Sequence, residues 1–438
     1  MATFSPIERH LQDIYEQCLL NRAGAVADYI PELRAVDPDK FGICLATADG
    51  HVYEYGDTTQ PFTIQSISKP LTYALALMDH GEGLVDSMIG IEPSGEAFNE
   101  ISLDPTTKRP RNPMINAGAI TAASLVGGAG AEERFARIHD FYSRAAGTSL
   151  GFNERVFRSE SETGHRNRAI AHMLRSVDAI TGDADAALDL YFRQCSIEVT
   201  CRDLSVIAAT LANSGTHPTS GDALIDSRSL RRVLSVMATC GMYDAAGDWL
   251  TTVGMPAKSG VGGGILAVLP GQLGIGIYSP RLDTHGHTER GMQACRMLSE
   301  LFELHFLAVP RSARNTLRSV TSHEYGKLTA GVYELQGDLL FAGVESVLRQ
   351  TRGSGPVHDI VVLDVSRVDQ VSQVARTILR EFAQGVRGDG REVILVDPDR
   401  LFAPTDGSHP DDLLSFDDRD SALTWVENTA HAAGRPLG

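Results

Sequence analysis

No stretch of the 438-residue chain approaches 18 uninterrupted apolar residues, so no segment is suited to cross a membrane as a helix. Basic residues are outnumbered: 39 Lys and Arg against 56 Asp and Glu leave a net charge of −17. A surface of that sign repels polyanions, which argues against nucleic acid or an anionic membrane as the main partner. The six cysteines (Cys18, Cys44, Cys195, Cys201, Cys240, Cys295) form no Cys-x-x-Cys pair and no zinc spacing. Scattered singly in apolar or helical surroundings, they read as buried thiols of a reducing compartment. The first ten residues include Glu8 and no apolar segment, so no signal peptide is read there and a cytoplasmic protein is expected. The length exceeds one ordinary core and predicts two domains, while 42% hydrophobic and 22% charged residues are ordinary for a globular chain.

Against that background, the stretch Phe62-Thr63-Ile64-Gln65-Ser66-Ile67-Ser68-Lys69-Pro70 carries the first chemical signal. It joins an apolar approach to a helical pattern through Leu71, Ala74, Leu75, Leu77 and Met78. Proline is tolerated in the first turn of a helix, where its missing N–H has no partner anyway, so Pro70 sets the helix start near Ser66 to Lys69. Ser66 and Lys69 then share one face. A hydroxyl at the positive end of a helix beside an ammonium is a candidate activated nucleophile. Ser-x-x-Lys is also the first motif of the serine β-lactamase and penicillin-binding group. Alone the pattern is cheap, and a capped, solvated helix start is the plain alternative.

Upstream, apolar positions over 6–20 predict a helix, and 41–46 with 51–55 a hairpin around Asp49-Gly50. From about 84 to 215 the pattern is helical, broken by polar loops. In one loop, Pro110 and Pro113 hold the backbone extended ahead of Asn116, where small residues begin a helix. Asn116 either faces a site or simply caps that helix. Glu160 and Asn167 bracket a Thr163-Gly164 turn, with exposed capping as the alternative for both. A helix over 229–242 ends in Gly241-Met242-Tyr243. Lys258-Ser259-Gly260 then enters a strand, much like the Lys-Thr-Gly strand of the same group, and more strands follow at 266–269 and 273–278. Glycines 260 and 262–264 admit close backbone approach and expose N–H groups for an oxyanion. A phosphate loop is excluded, since no Gly-Lys-Ser/Thr follows at a helix start. One sheet built from both ends of the domain, with the Ser66 helix beside it, would bring the two motifs together.

With these residues assembled, positions 10–307 resemble the serine-dependent glutaminase family, an offshoot of the β-lactamase-like fold. The blocks are Ser66 to Lys69, Asn112 to Ile120, Ser159-Glu160 with Arg166-Asn167, Met242-Tyr243, and Pro256 to Ile265. The resemblance implies hydrolysis of L-glutamine to L-glutamate and ammonia through an acyl-enzyme, with Ser66 as nucleophile, Lys69 lowering its proton affinity and Tyr243 shuttling protons. It further implies that Tyr29 lines the site, that Asn116, Glu160, Asn167 and Tyr191 hold the substrate's amino and carboxylate ends, and that the backbone of Val261 and Ser66 forms the oxyanion hole. Lys258, Ser259 and Gly260 support the site, no metal or other cofactor is required, and a homo-oligomer, dimer or tetramer, is expected. The chemistry agrees: an ammonium wants a carboxylate such as Glu160, and a carboxylate wants donors such as the asparagines. Two departures stand out. His287-Thr288 occupies the place where the family usually carries Asn-Ser, and Asp248-Trp249-Leu250 replaces smaller residues. His285-x-His287 lacks a third ligand and reads as a surface turn rather than a metal site.

The fold class expected is α/β (α+β): a β-lactamase/penicillin-binding-protein-like catalytic domain over 1–308, a linker over 309–322, and a small α/β domain over 323–438. In the last, strands are predicted at 327–334, 338–341, 357–363, 392–396 and 413–416, with helices at 344–350, 371–383 and 422–432. Leu335 to Phe341 and Leu363 to Val368 resemble STAS domains, the fold of anti-sigma-factor antagonists. Val374 occupies the place of that family's phospho-acceptor serine, so a phosphorylation switch is not expected, while a regulatory ligand or protein partner remains open. The rival readings are another Ser-x-x-Lys amidohydrolase and a STAS regulatory protein with an inactive first domain.

Overall fold

The computed structural model describes residues 6–95, 103–307, 316–352, 357–402 and 413–433. The chain divides into two units, Leu11–Glu300 with Leu304–Ala308 and, chiefly, Val309–Gly438. No helix among the described residues is long and apolar enough to cross a membrane.

The first unit opens at Leu11, within the helix Pro6–Leu19, where Leu11, Ile14 and Cys18 are buried. Strands β1 (Gly42–Thr47) and β2 (Val52–Gly56) follow as a hairpin whose turn needs Gly50, at φ 95°. Short β3 (Phe62–Thr63) pairs with β5 (Ile197–Val199), which also pairs with β4 (Gly151–Phe152). After 250 come β6 (Ala257–Gly260), β7 (Gly264–Leu269) and β8 (Leu273–Tyr278). The main sheet has the order β2-β1-β8-β7-β6, so strands from both ends of the unit meet at β1 and β8. The helix Cys201–Ala212 lies directly on this sheet. A Cβ at Gly274 would fall 2.3 Å from the Ala209 nitrogen and one at Gly276 2.2 Å from the Cys201 oxygen, so glycine is what lets helix and strand approach. A capping box between Thr200 and Asp203 fixes where that helix starts. The middle of the unit is helical, and its apolar faces close one continuous core with Ile67, Leu71, Ile120, Leu188 and Leu204. All six cysteines are unpaired and buried.

In the second unit, β9 (Leu317–Tyr325) runs antiparallel to β10 (Leu328–Leu339), and β11 (Ile360–Val371), β12 (Glu392–Val396) and β13 (Leu414–Phe416) continue in parallel. Helices Phe341–Arg352, Gln373–Gly388 and Arg419–Ala433 accompany this sheet, and parallel pairing of that kind requires crossovers. Val332, Val362, Ile394 and Val426 meet in its core. Three expectations change here. The stretch expected as a linker over 309–322 is strand from Leu317 onward, while 309–315 lie outside the described residues. The strands expected at 327–334 and 338–341 are one strand, since register shifts around Gln336 and Gly337 absorb the break as bulges. Strand β11 runs to Val371, and Ser372 caps the next helix by accepting from the Ala375 N–H.

Candidate active site

Ser66 lies in a tight turn, Gln65–Ser68, that precedes the helix Lys69–Met88. Gln65 takes φ 50°, a left-handed conformation that an L-residue adopts only when its surroundings hold it. Here the Ser68 hydroxyl donates to the Gln65 carbonyl at 2.6 Å, Gln194 Nε2 donates to Ser68 Oγ at 3.1 Å, and Tyr142 OH donates to the Ser68 carbonyl at 2.7 Å. The turn thus presents Ser66, 8% exposed, from a fixed backbone.

Lys69 is fully buried, and its Nζ donates to Asn116 Oδ1 at 2.7 Å, to the Met114 carbonyl at 3.1 Å and to Tyr243 OH at 3.4 Å. With no carboxylate among these partners, burial pulls its pKa down to about 7. Tyr243 shares a side-chain hydrogen bond with Ser66, while burial pushes its phenol above the ordinary value. Ser66, Tyr243 and Lys69 therefore form one hydrogen-bonded chain.

From Lys69 the network runs outward through Asn116. This residue opens the helix Asn116–Ser124 without capping it: its Oδ1 also accepts from Tyr191 OH at 3.2 Å, and its Nδ2 donates to Asn167 Oδ1 at 2.8 Å. The loop before it is organised by Asn112, whose Oδ1 accepts from the N–H groups of Met114 and Ile115. Gly118 must be small, because a Cβ there would meet the Asn112 carbonyl oxygen at 1.9 Å. Glu160 is buried on the helix Glu154–Thr163, not exposed as a cap. Tyr29 OH donates to its Oε1 at 2.6 Å and Gln65 Nε2 does so at 3.3 Å. Burial raises the Glu160 pKa and these two donors oppose the rise. The Tyr29 ring is half-exposed, at 49%, although its hydroxyl turns inward.

The hairpin β6–β7 closes the other side. A Cβ on Gly260 would stand 3.0 Å from the Ile64 oxygen, and one on Gly262 2.6 Å from the Thr63 oxygen, so the hairpin backbone lies against the segment that leads into Ser66. Val261, at the tip, packs against the buried cluster of Ile30, Leu33 and Val156. Lys258 is fully buried, donates to the Ser259 carbonyl at 2.7 Å and sits 3.8 Å from the Tyr243 ring centroid. Burial and then the neighbouring Lys69 hold its pKa well below the ordinary value.

The sequence-derived residues thus gather around Ser66 from both ends of the unit. Two more belong with them. Gln65 was hidden because its role follows from a left-handed turn that no local pattern announces. His287 corrects the surface-turn reading, which holds for exposed His285 only: His287 is fully buried, with Nδ1 2.8 Å from Ser259 Oγ and its ring 6.0 Å from that of Tyr243. The departure at Trp249 is accommodated inside, its Nε1 donating to the Met255 carbonyl at 2.7 Å.

A Ser-x-x-Lys pair at the start of a buried helix, facing a Lys-Ser-Gly edge strand of an antiparallel sheet, defines a hydrolase of the β-lactamase-like class. The family model described as "Glutaminase" matches residues 24–307. A glutaminase of Corynebacterium efficiens is 43% identical over 92% of this chain and 95% of its own length. One from Trichormus variabilis is 50% identical over 69% of this chain and 90% of its own. The crystal structure of Mglu in its glutamate form is 39% identical, with a TM-score of 0.69, and the match covers 91% of this chain and all of that one, 100%. The chain belongs to the glutaminase family.

Proposed function

We infer that the chain hydrolyses the side-chain amide of L-glutamine to L-glutamate and ammonia, through an acyl-enzyme on Ser66. The observation that carries this reading is the hydrogen-bonded chain from Ser66 through Tyr243 to a lysine with a pKa of about 7. A neutral Lys69 is a base matched to neutral pH, whereas Tyr243, with its raised pKa, keeps its proton at rest and serves as the relay. Ser66 Oγ attacks the amide carbon while its proton passes by way of Tyr243 to Lys69. The developing oxyanion is held by the N–H groups of Ser66 and Val261. Collapse breaks the C–N bond, and the proton returns to the leaving ammonia. Water then attacks the ester, the same relay taking and returning a proton, to release glutamate. Glu160 receives the substrate ammonium, and Asn116, Asn167 and Tyr191 receive its carboxylate. Tyr29 lines the entrance, and Lys258, Ser259 and Gly260 support the wall behind Tyr243. The solved relative in its glutamate form supports the choice of ligand.

For the C-terminal unit we retain a STAS-like module, supported by its mixed five-stranded sheet with helices. Val374, which has no hydroxyl, at the place of that family's phospho-acceptor serine speaks against a phosphorylation switch there. A homo-oligomer and a cytoplasmic setting complete the proposal. The setting is supported by six unpaired thiols, and the oligomer is tested by light scattering.

The test is ammonia release by the full-length protein and by Ser66→Ala, with L-asparagine and a chromogenic β-lactam as controls. Turnover of glutamine alone, lost in Ser66→Ala, is the expected result. Turnover of the β-lactam instead would favour the other Ser-x-x-Lys hydrolases, and a folded but inert wild type the regulatory reading.

A further inference from the structure

Tyr243 has φ 53°. A bulky non-glycine residue keeps a left-handed backbone only where its neighbours over-determine it. Besides Ser66, Lys69 and Lys258, one loop, residues 279–288, contributes to that hold. On the exposed side, Asp244, the residue after Tyr243, meets His285 Nδ1 at 2.8 Å. On the buried side, the His287 ring lies nearly parallel to that of Tyr243, at 18° and 6.0 Å. His287 Nδ1 also pairs with Ser259 Oγ at 2.8 Å, on the strand whose Lys258 Nζ sits 3.8 Å from the tyrosine ring centroid. The loop is itself tied down. Asp283 Oδ1 accepts from the N–H groups of both His285 and His287, at 2.8 and 2.9 Å, and Leu282 exchanges backbone hydrogen bonds with Ala25.

We propose that His287 is a positioning residue for the Ser66 reaction, the buried half of a two-histidine brace that sets the Tyr243 phenol between Ser66 and Lys69. The inference rests on the acyl-enzyme reading above. Geometry is its ground: one side chain hydrogen-bonds the strand carrying Lys258 and lies nearly parallel to the ring of Tyr243, and the histidine two residues earlier pairs with the side chain of Asp244, the residue after Tyr243. The electrostatics are compatible. Facing His287 are Lys258 from β6, Asp244 from the Tyr243 turn, and Asp283 and His285 from its own loop. Burial and Lys258 outweigh the two carboxylates and hold the ring neutral, so it places no positive charge beside the Lys69 base.

The experiment compares full-length wild type with His287→Ala, His287→Asn and His285→Ala, by steady-state kinetics on glutamine and by crystal structures of the resting proteins. His287→Ala is expected to lower kcat about ten-fold or more with KM within about two-fold, because Tyr243 acts on the chemical step. His287→Asn, whose amide can reach Ser259 Oγ as Nδ1 does, is expected to recover part of the loss. His285→Ala, at an exposed position, is expected to lower kcat about three-fold. In the His287→Ala structure, the Tyr243 ring shifts or its φ leaves the left-handed region. A folded His287→Ala with kcat within about two-fold of wild type, or with a change in KM alone, overturns the proposal. Should His287→Ala not fold, an unchanged kcat in His285→Ala overturns it. Should wild type turn over no glutamine, the functional reading fails separately, and the position of Tyr243 in the variant structures decides the brace.

Discussion

Lys69 is useful as a base only after it has lost its proton, and the site arranges this by burial, giving it carbonyl, amide and phenol partners in place of a carboxylate. Its pKa of about 7 then fixes the sign of two effects. Below that value the ammonium cannot accept the Ser66 proton, so kcat/KM is expected to fall about ten-fold per pH unit on the acid side and to level off above it. In the unfolded chain the same group titrates near its ordinary value of about 10.4. Between the two values the unfolded state binds more protons, so Lys69 makes stability rise with pH across that window, and its burial is most costly below it. Lys69→Met is therefore expected to lose activity by about 10²-fold or more, yet to melt about 2 °C or more above wild type at pH 6. Calorimetry beside a pH–rate profile checks both. A variant that loses activity and stability together would mean that the lysine is a structural member of the network instead.

At the scale of elements, the catalytic turn and the hairpin β6–β7 must fit backbone to backbone. Gly262 has ordinary space on the Ramachandran map, but a Cβ there would lie 2.6 Å from the Thr63 oxygen, and a main-chain atom cannot swing aside as a side chain can. Gly262→Ala is expected to push the hairpin tip away from Ser66, and with it Val261. The expected loss in kcat is about ten-fold to a hundred-fold, at or below the roughly 10²-fold to 10³-fold lost when one oxyanion donor is removed outright, with the circular dichroism spectrum unchanged. Retention of full activity would show that Val261 is not a donor. The same elements mark what the sequence could and could not tell. Pro70 announced the Ser66 helix and Asp49-Gly50 the first hairpin, because each constrains φ locally. The left-handed Gln65 was not legible, since its hold comes from Ser68, Gln194 and Tyr142, the last two far along the chain. Strand β9 was missed because an edge strand bearing Ser319, Thr321 and Ser322 has the composition of a linker. His287 was missed for a related reason: its burial depends on a loop folding back between Asp244 and Ser259, and His-x-His alone reads as polar surface.

At the scale of the molecule, the two units close separate cores. The catalytic one is organised around the Lys69–Met88 helix and the β8 ladder, the other around Val332, Val362 and Ile394. Everything assigned to glutamine chemistry lies in the first, so a lesion confined to the second separates a stabilising appendage from a regulator. Val362 is fully buried on β11, the central strand of its sheet, and an unpaired carboxylate there would cost several kcal/mol, on the order of 3–5. Val362→Asp is expected to lower a melting transition of the C-terminal unit by roughly ten degrees or more. Ammonia release per Ser66 at 25 °C is expected to stay within about two-fold, as it should if the Ser66–Tyr243–Lys69 chain depends only on contacts inside its own unit. A ten-fold fall in kcat, with the catalytic unit still folded, would instead make the second unit part of the machinery that holds the site.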